Sequence, residues 1–237
     1  MRFFAIALAD ALAACATPPA APIAHHLPRP DAPATPPPTV SIADGQLALV
    51  GLPAVAADGS LVVIAQEVHE PARGVPALTL IERDPLDREI ARHYVLGFDD
   101  NDEPGAAMTA RFAEANRWLA AQHAAHHLVP MRALAMTEID GPTRHRRADG
   151  DGISIDWRPG QLAISRGGAA PFVHATPSDW LVADHPMYAG ATEMCSNEAF
   201  LLGASVDLDR AIAVLKIAYM GTDTCWEPVA QDRVVHW

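Results

Sequence analysis

The residues most suited to chemistry are histidines and carboxylates. His123, His126 and His127 fall at the end of an Ala-rich segment. At helical pitch His123 and His127 stand four apart on nearly one face, a spacing common in metal-binding pairs. The residue after His123 is Ala124, so no His-Glu-x-x-His motif forms. Imidazolium near a helix C-terminus is also favourable by itself, and His126 falls on the apolar stripe as a core histidine. The run Asp99-Asp100-Asn101-Asp102-Glu103 offers oxygen ligands to Ca²⁺ but breaks the EF-hand pattern, with Pro104 in the sixth place. Set just before a helix, the same run suits capping and the helix dipole. Arg144-His145-Arg146-Arg147 is the basic cluster, suited to phosphate groups or to a solvated loop. His174, His185, Asp179 and Asp184 are further candidates whose meeting depends on the fold. Ser154, Ser165 and Ser178 lie in no nucleophile motif, and neither a Gly-x-Ser-x-Gly elbow nor a phosphate-binding Gly-rich loop occurs. No residue is therefore assigned as catalytic or as a metal ligand, and no cofactor is implied.

The elements that would position these groups are mostly strands. Residues 46–50, 61–68, 78–83 and 89–96 are short, apolar and bounded by Gly, Pro or Asp, the pattern of an antiparallel meander. Ala43-Asp44-Gly45-Gln46-Leu47 is echoed by Ala57-Asp58-Gly59-Ser60-Leu61, and Ala148-Asp149-Gly150 precedes Ile153. Asp-Gly marks turns, because Gly tolerates positive φ and Asp bonds to its own backbone. Asp-Gly before a strand also resembles a β-propeller repeat, but the unit does not recur at a period of about 40 residues. Residues 106–128 predict one helix, free of Pro and Gly, with Met108, Phe112, Ala115 and Leu119 along one stripe. Further strands are expected at 131–137, 152–157, 162–165 and 172–175. A hairpin at 198–206 and 211–220 should turn at Asp207-Leu208-Asp209-Arg210. Residues 211–218 read as a central strand interrupted by Lys216, although Leu208, Ile212 and Leu215 also fit a helix. The fold class is α+β: mainly antiparallel β-sheet with one principal helix packed on it.

The N-terminus carries a different signal. Met1-Arg2, the apolar stretch Phe3 to Ala9 and small residues before Cys15 have the three-part form of an export signal. Leu12-Ala13-Ala14-Cys15 resembles the lipobox of bacterial lipoproteins. The resemblance covers residues 1–15 and implies cleavage before Cys15, acylation of that residue and membrane anchoring. Ala16 stands where an Asp would imply inner-membrane retention, so the resemblance points to the outer membrane. Residues 15–40 then form a tether holding 9 of the 21 prolines. Proline fixes φ and cannot donate a backbone hydrogen bond, so polyproline II is expected. His25-His26 lies within this tether. Residues 41–237 form the folded domain. With Cys15 lipidated, Cys195 and Cys225 remain, and an oxidising envelope would join them in a disulfide.

The 237 residues carry a formal net charge of −12 and 50% hydrophobic side chains. That supports a real core and argues against sequence-independent nucleic-acid binding, which needs Lys and Arg to neutralise phosphates. The expected function is a membrane-anchored, non-catalytic binding or structural module of the envelope. Its partners would be the membrane, through Cys15, and an envelope protein or polysaccharide. The alternative is an envelope hydrolase or metal-dependent enzyme using His and carboxylate groups.

Overall fold

The computed structural model describes residues 35–43, 46–68, 77–97, 100, 105–140, 145–158, 160–175, 200–218 and 230–237. For Asp140, His174 and Ala175 only the backbone is described. Cys15, His25, His26, Asp99, Asn101 to Glu103, Arg144, Asp179, Asp184, His185, Cys195 and Cys225 lie outside the described residues. All described elements belong to one unit, Thr35–Trp237. They are antiparallel strands and a single helix.

Strand β1 (Thr39–Ala43) pairs with β2 (Gln46–Val50) as a two-stranded hairpin, with Ala43 opposite Gln46. It begins ahead of the expected domain start at Ser41, and Val40 is fully buried. The expected meander from residue 46 therefore loses its first member. The first sheet consists of β3 (Ala54–Val55), β4 (Val62–Val68), β5 (Ala77–Arg83), β6 (Glu89–Leu96) and β7 (Val129–Pro130), in the order β6-β5-β4-β3-β7. Its β3–β4 turn is held as the Asp-Gly signal suggests. Asp58 accepts bonds from the Ser60 N–H at 3.0 Å and hydroxyl at 2.6 Å, and Gly59 takes φ +77°.

Helix α1 (Ala106–His126) buries Phe112, Ala115 and Leu119 against the first sheet, with Met108 and Trp118 partly buried beside them. The expected stripe is the packed face. The helix ends ahead of Pro130, because His127 adopts the left-handed conformation and its N–H bonds to the His123 carbonyl at 2.8 Å. Gly105 precedes the first turn without a side-chain cap, so capping does not explain Asp100. Asp100 instead accepts the Gly97 N–H at 2.6 Å and pairs with Arg111 at 2.7 Å. Asn116 anchors the helix to β1 by bonding both the N–H and the carbonyl of Val40, at 2.8 and 3.0 Å.

The segment expected as one strand at 131–137 is split between two sheets, and a short strand just ahead of it joins a third. Strand β7 pairs with β3 in the first sheet. Strand β8 (Arg132–Ala133) pairs with β14 (Phe200–Asp207) in a middle sheet, and β9 (Ala135–Asp140) pairs with β10 (His145–Gly150) in an outer sheet. A dozen residues thus stitch three sheets together. The outer sheet is a meander of β9, β10, β11 (Ile153–Arg158), β12 (Gln161–Arg166) and β13 (Phe172–Ala175). Its β10–β11 connection is Asp151-Gly152, both at positive φ (51° and 75°), a two-residue turn that matches the strand twist.

The middle sheet runs β16-β15-β14-β8, with β15 (Ile212–Ala218) and β16 (Gln231–His236) completing it. Residues 212–218 form a strand, not a helix. Asp207 holds the turn before it, accepting from the Arg210 N–H at 2.8 Å and pairing with its guanidinium at 2.6 Å. Strand β15 is buried on both faces. Ile212 and Val214 pack toward the first sheet with Val55, Val62, Ile64, Met131 and Val234. Ala213, Leu215 and Ile217 pack toward the outer sheet with Ile155, Trp157, Leu162 and Leu201. The layers are therefore helix with hairpin, first sheet, middle sheet and outer sheet. Period-two alternation alone sends neighbouring side chains of β15 into two separate cores.

Candidate functional site

The space between the first and middle sheets is not filled throughout. A cavity of about 250 Å³ lies there, walled by Leu49, Leu52, Ile64 and Val214 and bordered by Lys216 and Asp232. Its cause can be traced through the register. On the face of the middle sheet that meets the first sheet, one row holds Ala133, Ser205, Val214 and Val234 across four strands. The next row holds Gly203, Lys216 and Asp232. Gly203, Ser205 and Ala133 are small, so β14 and β8 leave a hollow where a larger apolar side chain would complete the core. A bulge between Leu201 and Gly203 sets this register and places Gly203 opposite Lys216.

The polar end is unusual for such a position. Asp232 is only 6% exposed. Burial pushes its carboxyl up to about 6; Lys216 pulls the other way, Glu67 pushes it further up and Arg83 pulls it down. Lys216 meets Glu67 of β4 across the sheets at 3.5 Å.

Beside the cavity, the β5–β6 turn clamps the edge of the middle sheet. Asp87, at φ +64°, accepts the Val234 N–H at 2.8 Å and meets Arg83 at 3.4 Å and Arg233 at 3.3 Å. Arg83 also donates to the Asp87 carbonyl at 2.8 Å. Burial holds the Asp87 carboxyl above its ordinary value, against the Val234 hydrogen bond and both guanidinium groups. This cluster joins two sheets, so its evident work is structural.

The residues singled out from sequence separate. His127 is exposed in the helix cap, out of helical register with His123. His123 is half-buried, and its Nδ1 is buried without a hydrogen-bond partner. His126 is half-buried, and its carbonyl accepts the Ala57 N–H at 3.0 Å. Among the described residues no three His, Cys, Asp or Glu side chains are placed to share a metal ion. The basic cluster divides as well. His145 meets Asp156 at 2.7 Å and Arg147 meets Asp149 at 2.8 Å. Arg146 meets Glu138 at 2.9 Å and covers the Phe200 ring at 4.7 Å. Each of these three has a carboxylate partner, so they present no free basic patch.

Sequence reasoning missed Asp232, Glu67 and the strand β16 altogether. The one available signal was Lys216, the single charge in an otherwise apolar strand. Comparison with protein-family models, with curated proteins and with solved structures finds no match.

Proposed function

We propose that the chain is a lipid-anchored envelope protein whose folded domain is a non-catalytic binding module, and that the cavity between the first and middle sheets is where it binds. One observation carries this reading: an apolar hollow of about 250 Å³ that ends on a buried carboxylate and a lysine. Apolar walls with a few convergent polar groups are the usual make-up of a small-molecule site. The size is just below the range typical of drug-sized ligands, so the ligand is small. The anchor is supported by the lipobox resemblance at Leu12-Ala13-Ala14-Cys15 and by the proline content that follows it. Among the described residues no helix is long and apolar enough to cross a membrane.

A panel of small amphiphiles screened by thermal shift tests the binding role. At least one compound should raise the melting temperature of the full chain, and Gly203→Val should remove that rise. The new side chain has room, since a Cβ there meets only the Lys216 Cβ at 3.7 Å. Binding that survives Gly203→Val, or a panel without a binder, would overturn the assignment. For the anchor, Cys15→Ser should abolish acyl labelling and membrane fractionation; unchanged behaviour would overturn it.

A further inference from the structure

The polar end of the cavity has a charge pattern that selects among ligands. We propose that the cavity takes a small primary ammonium compound, with its charged end on Asp232 and a short apolar body against Leu49, Leu52, Ile64 and Val214. The inference rests on the binding role proposed above and adds the chemical class of the ligand.

Two carboxylates compete for Lys216. It is the one cation among the residues lining the cavity. Glu67 pairs with it at 3.5 Å from the neighbouring sheet, and Asp232 is its cross-strand neighbour. The next cation acting on Asp232 is Arg83, which is held by the carboxylate and carbonyl of Asp87. Arg233 is also drawn to Asp87. Asp232 is therefore a buried carboxylate whose neighbouring cations are shared with other acids. A buried charge of this kind is stabilised by a further cation or strong donor. The raised pKa of Asp232 agrees, because burial outweighs the attraction that Lys216 and Arg83 supply.

The rest of the lining narrows the class. An anionic ligand would sit beside Asp232 and compete with it and with Glu67 for one lysine. An ammonium group donates up to three hydrogen bonds, and the Asp232 carboxylate accepts. The lining residues include no aromatic ring, so the usual recognition of quaternary ammonium by ring faces is not provided there. Primary ammonium fits the donors and acceptors present.

Calorimetric titration of the full chain at pH 7.5 with hexylammonium chloride, 1-hexanol and sodium hexanoate tests the proposal. Hexylammonium should bind at least tenfold more tightly than hexanol, the scale of one charge-assisted hydrogen bond, and hexanoate should bind most weakly. Asp232→Asn should erase the advantage of hexylammonium over hexanol. Gly203→Val should remove both, with Ser205→Leu as a second way to fill the hollow. Hexanoate binding as tightly as hexylammonium would overturn the ligand class, as would an ammonium preference that survives Asp232→Asn. If hexanol or hexanoate binds without any ammonium preference and Gly203→Val removes it, the class falls and the binding cavity stands. If none of the three probes binds, the ligand class falls; the wider panel then decides the cavity separately.

Discussion

Asp232→Asn should gain stability on the parent as pH rises from 4 to 8, a direction opposite to the usual loss of a buried charge. The folded carboxyl lies at about 6, against an ordinary value of 3.8. A folded pKa above the unfolded one means that the folded state binds the proton more tightly. The stability this proton contributes is fully present below about pH 3.8 and is lost as pH rises through about 6. Two pH units, at about 1.4 kcal/mol each, amount to about 3 kcal/mol lost by pH 7 to 8. Asparagine resembles the protonated acid in shape and carries no charge. The variant should therefore differ from the parent by a constant amount near pH 4 and below. It should gain on the parent by about 3 kcal/mol as pH rises to 8. For a domain of this size that gain is about 6 to 12 °C in melting temperature. Urea midpoints measured at intervals from pH 4 to 8 would show it. If the difference between variant and parent is the same at pH 4 and pH 8, or if the variant loses ground as pH rises, the reasoning fails. Lys216 would then be compensating Asp232 fully. The same lost stability is what a binding site retains when it keeps a charge for a ligand.

Other perturbations test the structural parts. Asp87→Asn keeps a side chain that tolerates φ +64° but removes the charge between Arg83 and Arg233. Burial holds the Asp87 carboxyl above its ordinary value, so the variant should gain on the parent as pH rises from 4 to 8 in urea unfolding; a variant that loses ground over that range would show that the two guanidinium groups outweigh burial. Asn116→Ala leaves the N–H and carbonyl of Val40 without their side-chain partner, and a loss of about 1 to 3 kcal/mol is expected in the same assay. No change would mean that α1 is held to β1 by apolar packing alone. Free-thiol counting on the exported, unreduced protein should find neither Cys195 nor Cys225 reactive. Two titratable thiols would refute the proposed bridge.

Much of the local structure was legible because it depends on neighbours in sequence. The stripe through Phe112, Ala115 and Leu119 specifies one helix face, and Asp58-Gly59 and Asp151-Gly152 carry their turns in their own chemistry. The apolar run from Ile212 identified a strand buried on both sides. What was not legible depends on pairing between distant segments. Residues 131–137 read as one strand, yet β8 and β9 within and beyond that stretch join different sheets and β7 just before it joins a third, because partners at β14, β10 and β3 compete for the chain there. Capping by the acidic run was a sound local expectation, but the residue at the helix start is Gly105 and Asp100 turns to Arg111 and Gly97. The cavity was hidden for the same reason. Gly203, Lys216 and Asp232 become neighbours only through the register of three strands, and nothing in Gln231-Asp232-Arg233 alone marks these polar side chains as buried.

The most direct test of the binding role is to locate where a stabilising compound sits. Methyl-labelled protein titrated with a binder from the panel should show its largest shifts at Leu49, Ile64 and Val214, which line the cavity. Shifts concentrated instead at Leu119 and Leu128 under the helix, or spread evenly over the molecule, would contradict a binding site between the first and middle sheets.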